Sequence, residues 1–260
     1  MYDPVATLQA IDEHVVPIML LNALALIANV IYFGEAVRLA ARDRLYTMPL
    51  AGTLLFIPHD LSYILNYDKW FNQYHHWFSE LYWFGLIATL ALELLFLYQT
   101  IKYGRKELFP RLTQRSYTAL LLAGLLGVSV FWWVLKQNLA DDLYVVSFFV
   151  TTMLCPMLSI GLLVRRQSAR GQSTLMWIAF CAMVIAYFGW TQYLGDYFRS
   201  FWWRAFAVVD LGWGLAMLWL VRSIGDVGRQ YFADIASATG TSATGTSAKD
   251  CRPTSGVPTA

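Results

Sequence analysis

The sequence has few charged residues, and this scarcity strongly restricts the class of protein. Only 14% of the 260 residues are Asp, Glu, Lys or Arg, whereas 58% are hydrophobic. The formal net charge is +2, which provides no broad basic surface, so nucleic-acid binding is not indicated. Because the hydrophobic runs are long enough to cross a hydrocarbon core of about 30 Å, the composition indicates a polytopic membrane protein.

Cysteine and histidine are also scarce, and neither forms a pattern typical of a metal site or a disulfide. The three cysteines, Cys155, Cys181 and Cys251, have no paired spacing. His75 and His76 are adjacent, but no further His, Cys or acidic ligands complete a metal site around them. The sequence therefore predicts neither a metal nor another cofactor.

Seven apolar segments are each close to the roughly 20 residues that a membrane-spanning helix needs. They predict an all-α, multi-pass integral membrane protein with a seven-helix domain over residues 1–232, placed in the cell membrane if the source is bacterial. After about residue 233 the composition changes to Ala, Thr, Ser and Gly, which predicts a disordered tail over 233–260. The predicted spans are residues 13–33, 46–66, 79–101, 116–136, 143–164, 174–196 and 202–221.

The distribution of Lys and Arg predicts the orientation of these spans. The loops after the first, third and fifth spans are rich in cations at residues 38–44, 102–115 and 165–170, whereas the opposite loops are poorer. Cytoplasmic loops carry an excess of Lys and Arg. We therefore expect the N-terminus outside and the C-terminus in the cytoplasm.

Two aspartates within apolar segments, Asp60 and Asp210, are the candidate catalytic residues. A charged side chain at membrane depth is costly and usually faces an internal cavity, where it takes part in chemistry or transport. At 1.5 Å per residue, Asp60 lies about 9 Å and Asp210 about 12 Å below the outer ends of their predicted spans. The two carboxyls can therefore share one level in the outer half of the membrane. His59 points about 100° away from Asp60 around the helix. Its position is therefore equally compatible with a packing role and with a direct interaction with Asp60.

Further residues are predicted to line a substrate cavity, although their individual assignment is less constrained. Asn22 and Tyr187 lie at a depth comparable to that of the aspartates, whereas Glu93 lies about 21 Å down, nearer the cytoplasmic side. Aromatic faces can stabilise a positive charge inside such a cavity. The predicted lining residues are Asn22, Tyr63, Glu93, Tyr187, Trp190 and Trp213.

Two other interpretations of the buried acids remain open at this stage. A buried Asp can simply form a hydrogen bond to a neighbouring helix and strengthen packing. Alternatively, Asp60, Glu93 and Asp210 could form a relay across the bilayer in a small-solute or proton-coupled transporter. Transporters of this kind often contain internal repeats and paired broken helices, and no convincing repeat of that type is present.

Five short segments, in the same order along the chain, resemble the membrane-embedded terpene cyclases of the pyripyropene type. Residues 43–48 match the Asp-Arg-x-Tyr-x-Met turn of that family, and residues 59–63 occupy the place of its Trp-Glu-x-x-Tyr segment. Further similarity occurs at residues 97–102, 170–173 and 210–213, so the resemblance covers about residues 25 to 221.

The resemblance implies a function and assigns roles to two residues. It implies that Asp60 and Asp210 protonate a prenylated or linear terpenoid substrate and so start a metal-free cyclisation in the lipid bilayer. The chain departs from the family pattern at three positions. Asp60 replaces the usual Glu, His59 replaces the preceding Trp, and Glu93 stands where a neutral Asn can occur.

The chemistry of buried carboxyls agrees with this implication. Acid-initiated cyclisation needs a carboxyl that retains its proton, a dry cavity and groups that stabilise a carbocation. Burial and a second nearby carboxylate both favour the protonated form of one member of a pair. The sequence therefore predicts a terpene cyclase that acts on a lipophilic prenylated or terpenoid small molecule.

Overall fold

The computed structural model describes residues 2–240, with side chains described as far as residue 225. All regular secondary structure in this part of the chain is helical, and it contains no β-strand. The α-helices are α1 (Pro4–Glu13), α2 (Val15–Asp43), α3 (Leu50–Ile64), α4 (Trp77–Tyr103), α5 (Arg105–Leu108), α6 (Gln114–Gln137), α7 (Val145–Arg166), α8 (Thr174–Thr191), α9 (Asp196–Arg199) and α10 (Phe201–Gly240), with a π-helix at Lys69–Gln73.

Six helices in this range are long and apolar enough to cross a membrane, namely α2, α4, α6, α7, α8 and α10. The chain is therefore an integral, multi-pass membrane protein. The predicted span 46–66 corresponds to α3, which has only 15 residues. At 1.5 Å per residue it is roughly 22 Å long, shorter than the hydrocarbon core, so a seven-span count is not established.

Although α3 is short, it is largely buried, because it packs against α4, α6 and α7. Its C-terminal carbonyl groups are satisfied by side chains of neighbouring helices. The Lys136 ammonium donates to the Ser62 carbonyl at 2.5 Å, and the Trp83 indole donates to the Ile64 carbonyl at 3.0 Å. Unpaired carbonyl groups at a buried helix end are costly, so these two donors allow α3 to end inside the bundle.

The large helices form a closed ring in which each packs against the next. The order around the ring is α2, α8, α10, α7, α3 and α4, and α4 returns to α2. The α2–α4 contact that closes the ring includes Phe33 and Phe96, whose ring centroids are 5.7 Å apart. Helix α6 packs outside this ring against α3. The interior of the ring is therefore lined by six different helices.

The loops predicted to be cytoplasmic lie together at one end of the bundle. Arg166 donates to Glu107 at 3.0 Å and to the Tyr46 carbonyl at 2.8 Å, and the Asp43 carboxylate accepts from the Gly171 amide at 2.9 Å. These contacts connect the loops that follow α2, α4 and α7. Burial raises the pKa of the Tyr46 hydroxyl above its ordinary value, so this hydroxyl remains a donor to Glu107.

The N-terminal segment covers the opposite end of the bundle. The Tyr2 hydroxyl donates to Asp141 at 2.6 Å, and burial raises the pKa of Tyr2 above its ordinary value. Asp12 of α1 accepts from the Trp77 indole at 2.9 Å, and this hydrogen bond lowers the pKa of Asp12. Since Lys69 pairs with Asp142 at this same end, α3 and the residues that follow it as far as Lys69 connect the two ends of the bundle.

The boundary predicted at residue 233 falls inside α10, which continues to Gly240. The remainder of the predicted tail, including Cys251, lies outside the described residues. The hydropathy pattern did not predict three α-helices, α1, α5 and α9. Of these, α1 and α9 lie beside the predicted outer ends of the spans, and α5 lies in a loop predicted to be cytoplasmic.

Candidate active site

Asp60 lies on the buried face of α3, is 3% exposed and is surrounded by hydrogen-bond partners. Its Oδ2 accepts from the Thr89 hydroxyl at 2.6 Å. Its Oδ1 accepts from the Tyr144 hydroxyl and lies 3.0 Å from His59 Nδ1. Each carboxylate oxygen therefore has at least one partner, and the partners come from three different parts of the chain.

His59 interacts directly with Asp60. The sequence had left two alternatives, packing or partnership, because the two side chains are about 100° apart around α3. Its imidazole is completely buried between aromatic rings. The imidazole centroid lies 4.7 Å from the Trp132 ring, 4.6 Å from the Tyr144 ring and 5.7 Å from the Tyr63 ring. His59 Nε2 has no hydrogen-bond partner among the described residues.

Tyr144 reaches Asp60 from an unusual backbone position. It precedes the first residue of α7 with a φ of 68°, in the left-handed region that non-glycine residues rarely occupy. Such a conformation persists only where the surroundings hold it. The Tyr144 hydroxyl contact with Asp60 and its packing against Tyr63, with centroids 4.5 Å apart, provide these surroundings.

Glu93 is closer to Asp60 than counting from the span ends predicted. The Trp83 indole contacts the last residue of α3, Ile64, so the first turns of α4 extend beyond the end of α3. Residues of α4 therefore lie further outward, relative to α3, than the predicted span ends indicated. Thr89, which contacts Asp60, and Glu93 are four residues apart and therefore lie on one face of α4. Glu93 lies within electrostatic range of Asp60.

Asp210 is completely buried, and neither carboxylate oxygen has a hydrogen-bond partner among the described residues. It lies one turn before Gly214, which is on the same face of α10. A Cβ added at Gly214 would lie 2.9 Å from the Phe180 ring and 3.0 Å from Cys181 Sγ. This close approach of α10 to α8 places the Asp210 face toward α8.

Two buried cysteines lie near the buried acids Glu93 and Asp210. The Cys155 thiol lies within electrostatic range of both Glu93 and Asp210, and Cys181 is a second thiol near Asp210. Together with Asp60, these residues come from α3, α4, α7, α8 and α10. The two aspartates thus belong to helices that both pack against α7.

The other predicted lining residues occupy different environments. Tyr63 is buried, and its hydroxyl forms a 2.9 Å hydrogen bond with Ser147. Tyr187 packs edge-on against Phe148 with centroids 4.9 Å apart. Trp190 is also buried, and its indole nitrogen has no partner in the described part of the chain.

Asn22 and Trp213 are only partly buried. Asn22 donates to the Ile18 carbonyl of its own helix at 3.0 Å, as a polar side chain within a membrane helix commonly does. The contacts of these two residues do not link them to the Asp60 partners.

A cavity of about 10 Å³, the size of roughly one water molecule, lies beneath α1. Its wall includes Thr7 and Ile11 of α1 and Tyr82 of α4. The Tyr82 ring is 5.9 Å from that of Tyr144, whose hydroxyl contacts Asp60. Within the described residues, no group of three or more His, Cys, Asp and Glu side chains is close enough to hold a metal ion.

Sequence reasoning missed Thr89 and Tyr144. One signal for Thr89 was available, because it lies one helical turn before Glu93 on the same face. Tyr144 had no comparable signal, since its position depends on the turn that precedes α7.

Comparison with known proteins identifies a family for the chain. Neither the curated proteins nor the solved structures include a significant match. The sequence model of the Pyr4-like transmembrane terpene cyclases, in contrast, matches residues 13–224. This match covers α2 to α8 completely and includes both Asp60 and Asp210. The chain belongs to the family of Pyr4-like transmembrane terpene cyclases.

Proposed function

We propose that this membrane terpene cyclase starts its reaction by protonating an epoxide or a terminal alkene of a prenylated or linear terpenoid substrate. In this proposal Asp60 donates the proton and Asp210 provides a second carboxyl that contacts the substrate. The reaction requires no metal ion. A carbocation then passes along the folded terpenoid chain and forms rings before a proton is lost. The family favours this class of function over the transport alternative.

The observation that carries the proposal is the set of hydrogen bonds around Asp60. When a buried acid releases its proton, the carboxylate is costly unless donors compensate the charge. The Tyr144 hydroxyl and the His59 imidazole both lie at Oδ1, so donors are in place before the proton leaves. These donors therefore stabilise the carboxylate that remains after the proton is transferred.

The environment of Asp210 supports a different role. Its two oxygens have no partner in the described part of the protein and are completely buried. A carboxyl of this kind is available to a polar group or a positive charge of the substrate. Glu93 is a third buried acid and lies on the same face of α4 as Thr89, the hydroxyl partner of Asp60.

The aromatic surroundings support the carbocation part of the proposal. Trp132, Tyr144 and Tyr63 pack around His59 beside Asp60, and Phe148 and Tyr187 extend this cluster. Each aromatic face can attract a desolvated cation with up to about 2 kcal/mol. The same rings exclude water, which would otherwise capture the cation.

The test is product formation by membranes that contain wild-type protein or Asp60→Asn. The membranes would be supplied with farnesylated and geranylgeranylated phenols and with their terminal epoxides. Asparagine keeps the shape of the side chain but cannot deliver a comparable proton, so we expect cyclisation to fall by at least about 100-fold. Asp142→Asn is the matched control, because Asp142 is a partly exposed carboxylate that pairs with Lys69 at the end of the bundle.

Parallel reactions with a chelator test the absence of a metal requirement. We expect unchanged product formation after chelation. Full activity of Asp60→Asn, or activity that chelation removes and Mg²⁺ restores, would contradict the proposal.

A further inference from the structure

The two oxygens of Asp60 have different partners, and this difference determines where its proton resides. Oδ1 faces both the Tyr144 hydroxyl and His59 Nδ1, whereas Oδ2 faces only the Thr89 hydroxyl, at 2.6 Å. We propose that His59 is a positioning residue which, together with Tyr144, occupies Oδ1 and so confines the transferable proton of Asp60 to Oδ2. This inference rests on the proposed role of Asp60 as proton donor.

The hydrogen between His59 and Asp60 belongs to the imidazole. If Nδ1 carried no hydrogen, its lone pair would face a lone pair of Oδ1 at 3.0 Å unless Asp60 were protonated there. In that case the hydrogen of the neutral imidazole would lie on the buried Nε2, which has no partner among the described residues, and a buried donor without a partner is costly. Nδ1 therefore donates. Because the buried Nε2 has no partner among the described residues, the neutral form with hydrogen on Nδ1 alone leaves no donor unpaired.

The two donors fill the acceptor capacity of Oδ1. A carboxyl oxygen has two lone pairs, and here one accepts from Tyr144 and the other from His59. A proton added to Asp60 therefore resides on Oδ2, and Oδ1 is the carbonyl oxygen of the acid.

Thr89 can accommodate both protonation states of Oδ2. Its hydroxyl lies 2.6 Å from Asp60 Oδ2 and 3.0 Å from the Leu86 carbonyl. It donates to Oδ2 when Asp60 is ionised and turns to Leu86 when Oδ2 carries a proton. Asp60 thus changes its protonation state without leaving the Thr89 hydroxyl hydrogen unpaired.

The proton transfer is balanced within this arrangement. The Oδ2–H bond breaks, a bond forms between that proton and the alkene carbon or the epoxide oxygen, and the electron pair remains on the carboxylate. The positive charge passes to the substrate. After cyclisation the final cation loses a proton, and its return to Oδ2 completes the cycle.

Infrared spectroscopy tests the assignment without a substrate. The wild-type minus Asp60→Asn difference spectrum, recorded on purified protein in lipid nanodiscs at acidic pH, identifies the C=O band of protonated Asp60. We expect His59→Leu to raise the frequency of this band, because the carbonyl oxygen Oδ1 loses one donor. His59→Asn should leave the band near its wild-type position, since its amide places a donor close to the position of Nδ1. Thr89→Val should shift the band much less than His59→Leu.

The opposite pattern, a large shift in Thr89→Val and none in His59→Leu, would place the proton on Oδ1 and overturn the inference. If Asp60→Asn removes no carboxyl band, Asp60 does not hold a proton and the proposed function itself fails. Thermal unfolding of each variant is the control for folding, and Ser129→Ala on α6 is the matched neutral substitution.

Activity measurements separate positioning from simple packing. For any probe substrate that the wild type converts, His59→Leu should lower kcat on the order of 10- to 100-fold, the effect of losing one hydrogen bond to a charged group, with little change in KM. His59→Asn should recover a substantial part of kcat, whereas His59→Gln, whose amide reaches the position of Nε2, should not. Equal losses in the Leu and Asn variants, with intact folding, would contradict the positioning role.

Discussion

Asp60 and Asp210 are both buried carboxyls, but their surroundings give them different properties. Asp60 is held by partners from α3, α4 and the segment before α7, so replacing it breaks hydrogen bonds as well as removing an acid. Asp210 has no partner in the described protein. The loss of activity in an Asp210 variant is therefore easier to separate from a loss of stability.

We predict that Asp210→Asn lowers product formation by at least about 100-fold, in the range typical of a lost group that stabilises charge in the transition state. Because no hydrogen bond among the described residues is broken, its thermal unfolding temperature should remain close to that of the wild type. Glu93→Gln should have a milder effect on product formation. If Asp210 instead serves helix packing, Asp210→Asn will unfold at a clearly lower temperature while the folded fraction retains its activity.

At the scale of the helices, Gly214 allows α10 to approach α8 closely. Phe180 lies opposite Gly214 and is held by Trp177 and Tyr32, with ring centroids 5.4 and 5.6 Å away. It therefore has little freedom to move aside. Small residues commonly permit such close helix contacts in membranes, and here the contact determines the position of Asp210 one turn earlier.

We predict that Gly214→Ala destabilises the protein by about 1–3 kcal/mol, the usual cost of overpacking, and lowers activity because Asp210 moves. The added Cβ would lie only 2.9 Å from the Phe180 ring. Gly212→Ala is the matched control, since a Cβ there meets no atom within 4 Å. The measurement is thermal or denaturant unfolding of purified protein in detergent. Equal stability of the two variants would show that this helix contact is not constrained as described.

At the scale of the whole molecule, the bundle has two chemically different ends joined by the ring of helices. The end with Arg166, Glu107 and Asp43 connects three loops through ion pairs and hydrogen bonds. The other end is covered by α1, with Asp12 bonded to Trp77 and Tyr2 bonded to Asp141. The arginine-rich end is the one that the charge distribution assigns to the cytoplasm.

We predict that a reporter fused after residue 260 is cytoplasmic and that a reporter inserted beside the exposed Gln73 is outside. Five spanning helices, α4, α6, α7, α8 and α10, separate these two positions, so they lie on opposite sides whether or not α3 crosses the membrane. A crossing by α3 is shown by a third reporter at the N-terminus, which should be on the same side as Gln73. Enzymatic and fluorescent reporters that are each active on only one side of the membrane provide the measurement. Detection of the Gln73 and C-terminal reporters on the same side would contradict the seven-crossing arrangement and the orientation with the N-terminus outside.

The sequence by itself determined the all-helical membrane class and the approximate limits of most spans, because the length and hydropathy of a spanning segment are local properties. It also identified Asp60 and Asp210 as unusual, since an acid in an apolar run is visible without a structure. Only the tertiary structure decided that Thr89, Tyr144 and His59 surround Asp60 and that Glu93 lies nearby. These relations depend on the offset between helix ends, which Trp83 and Ile64 determine by contact, and on the left-handed turn at Tyr144. A hydropathy pattern contains neither quantity, because both arise from packing between segments that are distant in sequence.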